Sequence, residues 1–109
     1  MVRRGRALSI SILLCAALLA DDSRSVSGVV TDKRGNLLPG AVVEIDNSVT
    51  KEIQSYIVQK DGRYHFSDLN QNVDFLLHAL YRGHVSKTLT LSKLNGSRSA
   101  TMDFIIPID

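Results

Sequence analysis

Residues 28–45, GVVTDKRGNLLPGAVVEI, decide the fold of this chain. They read as strand, turn and strand. Val26, Gly28 and Val30 share one face of a first strand over residues 26–31, with a glycine where another backbone can come close. Asp32 to Gly35 supplies a turn, using the local hydrogen bonding of aspartate and the positive-φ tolerance of glycine. Pro39-Gly40 punctuates the chain again. Ala41, Val43 and Ile45 then alternate with Val42, Glu44 and Asp46, so the odd positions face inward.

The same grammar continues to the C-terminus. A third strand is predicted over residues 53–59, rich in β-formers at Tyr56-Ile57-Val58. Lys60-Asp61-Gly62-Arg63 predicts a tight hairpin turn. Tyr64 and Phe66 are expected in the core with His65 outside, followed by a loop over residues 68–72. The longest strand is expected over residues 73–81, and Arg82-Gly83 turns the chain into another over residues 85–91. Residues 92–97 are polar. Met102, Phe104 and Ile106 alternate with Thr101, Asp103 and Ile105 in a last strand. No segment past residue 20 holds a 3.6-residue period, which argues against a long helix. Seven strands without a crossover helix predict an all-β, antiparallel Greek-key sandwich.

The N-terminus follows different rules. Arg3, Arg4 and Arg6 precede an apolar run from Ala7 to Ala20, which Asp21 and Asp22 end. This is the layout of a secretory signal peptide, here a signal helix over residues 1–20 cleaved after Ala20, and it predicts a secreted or periplasmic product. The alternative is an uncleaved anchor, against which the run counts as shorter than the roughly 20 apolar residues of a spanning helix; no stable membrane insertion is expected after cleavage. Cys15 sits behind Leu13 and Leu14, not the small residues of a lipid-attachment site, and counts as part of the apolar run. Residues 21–109 are expected to form one domain. Cleavage removes three basic residues and no acidic one, taking the net charge from +2 to −1. No basic stripe is left to argue for nucleic acid. Cys15 is the only cysteine, so residues 21–109 can form neither a disulfide nor a thiolate metal site. The core must hold the domain; at this length it buries roughly 60–65% of the unfolded surface.

Gly28, Val30, Asp32, Gly35, Pro39, Gly40, Ala41 and Val43, then Asp61, Gly62, Tyr64, Phe66 and Leu69, stand in an order that resembles the carboxypeptidase regulatory-like domain, a small transthyretin-like β-sandwich. The likeness runs from Val26 to Ile106. It departs at residues 70–75, where the family often has Pro-Pro-Gly-x-Tyr, and at Gly83-His84, where it usually has Gly-Phe. The resemblance implies an accessory or binding module. In metallocarboxypeptidases such a domain accompanies a separate zinc-dependent catalytic domain, which is not in this sequence.

Chemistry-bearing residues are sparse. His65, His78 and His84 invite a metal or small-enzyme alternative, but they lack the close spacing of a shared site. There is no Gly-x-Ser-x-Gly elbow, and Asp21-Asp22 and the turn carboxylates form no catalytic pair. An internal isopeptide bond would need a core lysine beside an acid; Lys33, Lys51, Lys87 and Asn95 show no such register. No catalytic residue, metal or cofactor is expected. The unusual feature is Leu76-Leu77-His78-Ala79-Leu80. With Phe75, Leu77 and Ala79 inward, Leu76, His78 and Leu80 face outward, where polar residues are the rule. That face is the expected contact for a protein partner or for self-association. Carbohydrate is an alternative ligand, weakened by the absence of tryptophan and by the burial expected for Tyr64. The sequence therefore points to an exported, non-catalytic binding module. N-terminal sequencing of the exported protein is expected to start at Asp21, within a few residues; an intact Met1 on a soluble cytoplasmic species would refute the export signal.

Overall fold

The computed structural model describes residues 23–109; the predicted signal helix and its cleavage point lie outside them. Among the described residues nine strands form two sheets: β1 (Ser23–Thr31), β2 (Val42–Asn47), β3 (Ile53–Ile57), β4 (Arg63–Asn70), β5 (Phe75–Tyr81), β6 (His84–Val85), β7 (Leu89–Leu91), β8 (Ser99–Thr101) and β9 (Phe104–Ile105). One sheet runs β4–β1–β8, with β9 also on β1; the other runs β3–β2–β5–β6, with β7 also on β5. No helix occurs among the described residues. The all-β sandwich is as expected, but the predicted seven-strand, wholly antiparallel arrangement differs in count and direction.

The count differs because two predicted strands are each interrupted. Residues 84–91 run along β5 in two pieces. Leu80 pairs with Val85, but Leu77 pairs with Leu89, so this strand holds one residue more than β5 in that interval. Ser86 marks the break. Its buried hydroxyl accepts the Ala79 N–H at 2.8 Å and donates to the Lys87 carbonyl at 2.9 Å. Such a bulge is invisible to a period-2 pattern.

The second interruption separates β8 from β9. Both pair with β1 in parallel, Val26 opposite Ala100 and Val30 opposite Phe104, with the register unchanged across the gap. Alternation gives a strand's faces but not its direction, so the parallel pairing overturns the antiparallel expectation. In the gap, the Asp103 carboxylate accepts the Val29 N–H at 2.9 Å. The Met102 carbonyl turns beneath Gly28, where a Cβ would meet it at 1.8 Å. The Tyr64 hydroxyl donates to that carbonyl at 2.7 Å.

Asp61-Gly62 also acts differently from the prediction. The turn forms, with Gly62 at φ 73° and its N–H donating to the Gln59 carbonyl at 2.9 Å. Yet it joins no hairpin, because β3 pairs with β2 and β4 with β1. The turn chemistry reverses the chain, and burial decides which neighbour each strand takes. Tyr56 of β3 meets Phe66 of β4 edge to face at 6.1 Å across the two sheets. The predicted loop over residues 68–72 begins late, since β4 continues to Asn70 through an irregularity opposite Arg24–Val26, with Asp68 at φ 57°.

Val26, Val30, Val43, Ile45, Tyr64, Phe66, Leu77, Leu91, Phe104 and Ile106 fill the core. β1 starts three residues before its predicted limit and brings Arg24 to an inward position. This buried guanidinium donates to the carbonyls of Ser92 and Val73, both at 2.8 Å, and so ties two loops to the end of the sandwich. At the other end of β1, one buried carboxylate organises the turn. Asp32 accepts the backbone N–H groups of Arg34 and Asn36 and the Asn36 side-chain amide, at 2.9–3.0 Å.

Three outcomes are expected from these contacts. Gly28→Ala forces the Met102 backbone aside and is expected to cost about 3 kcal/mol, the upper part of the usual overpacking range. Tyr64→Phe strands the Met102 carbonyl and is expected to cost about 1–3 kcal/mol; urea unfolding measures both. The third concerns pH. The Asn36 amide, opposed by burial and aided by the Asn36 and Arg34 N–H groups, holds the Asp32 carboxyl below its ordinary range. A depressed folded-state pKa stabilises the fold above the unfolded value of about 3.9. That stabilisation is lost as pH falls through the folded value. Urea midpoints between pH 6 and 2 are therefore expected to fall less steeply for Asp32→Asn than for the parent protein.

Candidate functional site: the outer face of the five-stranded sheet

Paired residues of adjacent strands share a face, so the register of the second sheet writes out its solvent side. Ile57 lies opposite Val42, Val42 opposite Leu80, and Leu80 opposite Val85. One apolar row thus crosses β3, β2, β5 and β6 from edge to edge. The next row holds Ser55, Glu44 and His78, and the third holds Ile53, Asp46, Leu76 and Thr90. Phe75, Leu77 and Ala79 are buried on the opposite side, as the alternation requires.

The face is apolar around a polar centre. His78 Nε2 lies 3.0 Å from Glu44 Oε1, each side chain about one-third exposed. Beside them, Asp46 Oδ1 is buried and has no hydrogen-bond partner among the described residues. All three residues marked by the sequence are less open than their neighbours. Leu76 is 37% exposed and Leu80 is half-buried, whereas Ile53, Ile57 and Val85 are 60%, 63% and 49% exposed. Sequence reasoning missed Val42, Ile53, Ile57 and Val85. The signal was present in β3, where Ile53, Ser55 and Ile57 alternate with Gln54 and Tyr56, but it needed the pairing with β2 to show which side they occupy.

The other candidates do not gather. His65 lies opposite Ser27 on the first sheet, on the exposed side of β4, while His78 lies on the outer side of the second sheet. These are opposite faces of the sandwich. His84 is exposed at the β5–β6 turn, and no group of three potential metal ligands forms among the described residues. Lys33, Lys51, Lys87 and Asn95 are all exposed. A separate open hollow of about 560 Å³ lies where the two sheets part, between Val85–Leu89 and Asp103–Pro107, with Lys33 and Lys87 at its rim. Its mixed lining holds no paired acid and base.

Known proteins share this framework. The fold is similar to chlorocatechol 1,2-dioxygenase from Pseudomonas putida, at TM-score 0.56 and 15% identity over 82% of this chain and 62% of that one. It is similar to shaft pilin SpaA from Lactobacillus rhamnosus GG, at TM-score 0.59 and 12% identity over 80% of this chain and 46% of that one. A third similar structure is catechol 1,2-dioxygenase from Acinetobacter radioresistens, at TM-score 0.58 and 11% identity over 86% of this chain and 54% of that one. In each case the chain spans less than two thirds of the other protein, and at these identities the likeness is one of fold. No curated protein matches it in sequence. The family model of the carboxypeptidase regulatory-like domain matches residues 25–106, from within β1 to the residue after β9. A match of that extent takes in both sheets, and the chain belongs to the carboxypeptidase regulatory-like domain family.

Proposed function

We propose that this chain is an exported, non-catalytic binding module of the cell envelope, and that it engages a protein partner through the outer face of its five-stranded sheet. One observation carries the reading: the Ile57–Val42–Leu80–Val85 row across a face where solvated strands normally alternate to polar residues. Leu76 and Ile53 add apolar surface on the far side of the Glu44–His78 pair. Exposed apolar surface bordered by polar groups is the usual mark of an interaction site. The central polar groups supply orientation, which apolar contact alone does not. Export rests on the layout of residues 1–20.

The partner is best sought by crosslinking in the native envelope. Leu76→Ser with Leu80→Ser is expected to lower recovery of the crosslinked partner by about tenfold, equivalent to about 1.4 kcal/mol. The circular dichroism of a β-protein should persist. Undiminished recovery from a folded double variant would refute this face as the contact.

A further inference from the structure

A sheet edge exposes unpaired main-chain groups, and proteins usually blunt it with charge, proline, bulges or very short strands. Three of the four edges here carry such devices. β4 bears Arg63, His65 and Asp68 and is irregular opposite Arg24–Val26. β6 and β7 are two and three residues long and are separated by a bulge. β8 and β9 are equally short, and Pro107 follows. β3 has none. Its sequence, Ile53-Gln54-Ser55-Tyr56-Ile57, contains no charge and no proline, and all five residues pair with β2 without a break.

The hydrogen-bond phase shows what this edge offers. At one end the Asn47 N–H donates to the Glu52 carbonyl at 2.9 Å, and at the other the Val58 N–H donates to the Ala41 carbonyl at 2.8 Å. By alternation, Gln54 and Tyr56 turn their main-chain groups toward β2, while Ile53, Ser55 and Ile57 turn theirs to the open side. The Ile57 carbonyl receives the Gln59 amide at 2.8 Å, and a carbonyl has a second lone pair to offer.

The strand is also symmetric about its centre. An antiparallel copy turned about a two-fold axis at Ser55 sets Ser55 against its own counterpart. It sets Ile53 against Ile57 of the second copy, and Ile57 against Ile53. All three pairs fall in the hydrogen-bonded phase, and the exposed isoleucines meet on one face. We propose that two copies of this chain associate through β3 in this register, joining their five-stranded sheets into one. The interface is isologous, the commonest form of homo-oligomer contact. The row through Ile57 then continues into the second copy's row through Ile53, joining the two outer faces into one surface. The pairing does not depend on partner binding by that face.

Charge placed on the axis tests the register. In sedimentation equilibrium, the purified full chain is expected to dimerise. Ser55→Lys sets like charges directly opposite each other and is expected to weaken dimerisation by about tenfold or more. Ser55→Glu is expected to do the same, and mixing the two variants to restore a dimer. Restoration identifies Ser55 as the point of contact and cannot arise from association by another surface. A monomeric parent protein, undiminished dimerisation of Ser55→Lys, or a mixture that stays monomeric would each overturn the proposal. Should the glutamate variant fail to fold, Ser55→Pro serves instead, since it removes an N–H that faces the open edge: loss of the dimer supports the pairing and retention refutes it. Leu76→Ser with Leu80→Ser leaves β3 intact and should keep the dimer, so the two surfaces can fail separately.

Discussion

The Met102 carbonyl tucked beneath Gly28 holds the first sheet together. β1 is the central strand of that sheet, and at Gly28 it has no Cβ to keep the neighbouring backbone at ladder distance. The chain between β8 and β9 uses this space to turn a carbonyl inward, and a buried acceptor needs a donor. Tyr64 of β4, on the other flank of β1, supplies its hydroxyl. Burial, with the nearby Asp103 charge, raises the Tyr64 pKa, so the phenol keeps the proton it donates. Asp103 repairs the ladder by accepting the Val29 N–H. Three strands are thus locked at one point, and Phe104 follows directly into the core, 5.7 Å from the Tyr64 ring.

With the core closed from that side, the second sheet has apolar residues to spare. Its inner face is satisfied by Val43, Ile45, Leu77, Ala79 and Leu91, all buried. The apolar residues on its outer face add nothing to that core, yet they are aligned by the ladder rather than scattered. Glu44 and His78 interrupt them at the centre, where a close-fitting surface must match a polar pair as well as an apolar row.

The sequence made the fold class and most core positions legible, because alternation reports which side of a strand meets the core. Tyr64, Phe66, Val43, Ile45, Phe75, Leu77 and Ala79 are all buried as their positions required. What alternation does not report is pairing. Asp61-Gly62 looks like a hairpin and instead carries the chain between sheets, because turn chemistry is local and sheet membership is not. The break at Ser86 depends on a hydroxyl replacing a main-chain group, and serine is too common to signal it. Arg24 was missed because a charged residue ends an apolar pattern, although its stem and guanidinium fit a buried, carbonyl-lined end. The outer face was half legible for the same reason: Leu76, His78 and Leu80 lie on one strand, while Val42, Ile57 and Val85 join them only through register.

The parallel pairing of β1 with β8 and β9 has a mechanical meaning. Ser25 lies beside Ser99 and Thr31 beside Ile105, so the start of β1 and the end of β9 sit at opposite ends of the shared ladder. Tension between Ser23 and Ile106 would draw the two strands past each other along their length. The rungs are then loaded in shear and must yield together, whereas a hairpin pulled from one end opens rung by rung. The Tyr64–Met102 bond and the Asp103–Val29 bond stand across that slip plane. A domain joined to neighbours at these two points would carry load through its stiffest direction.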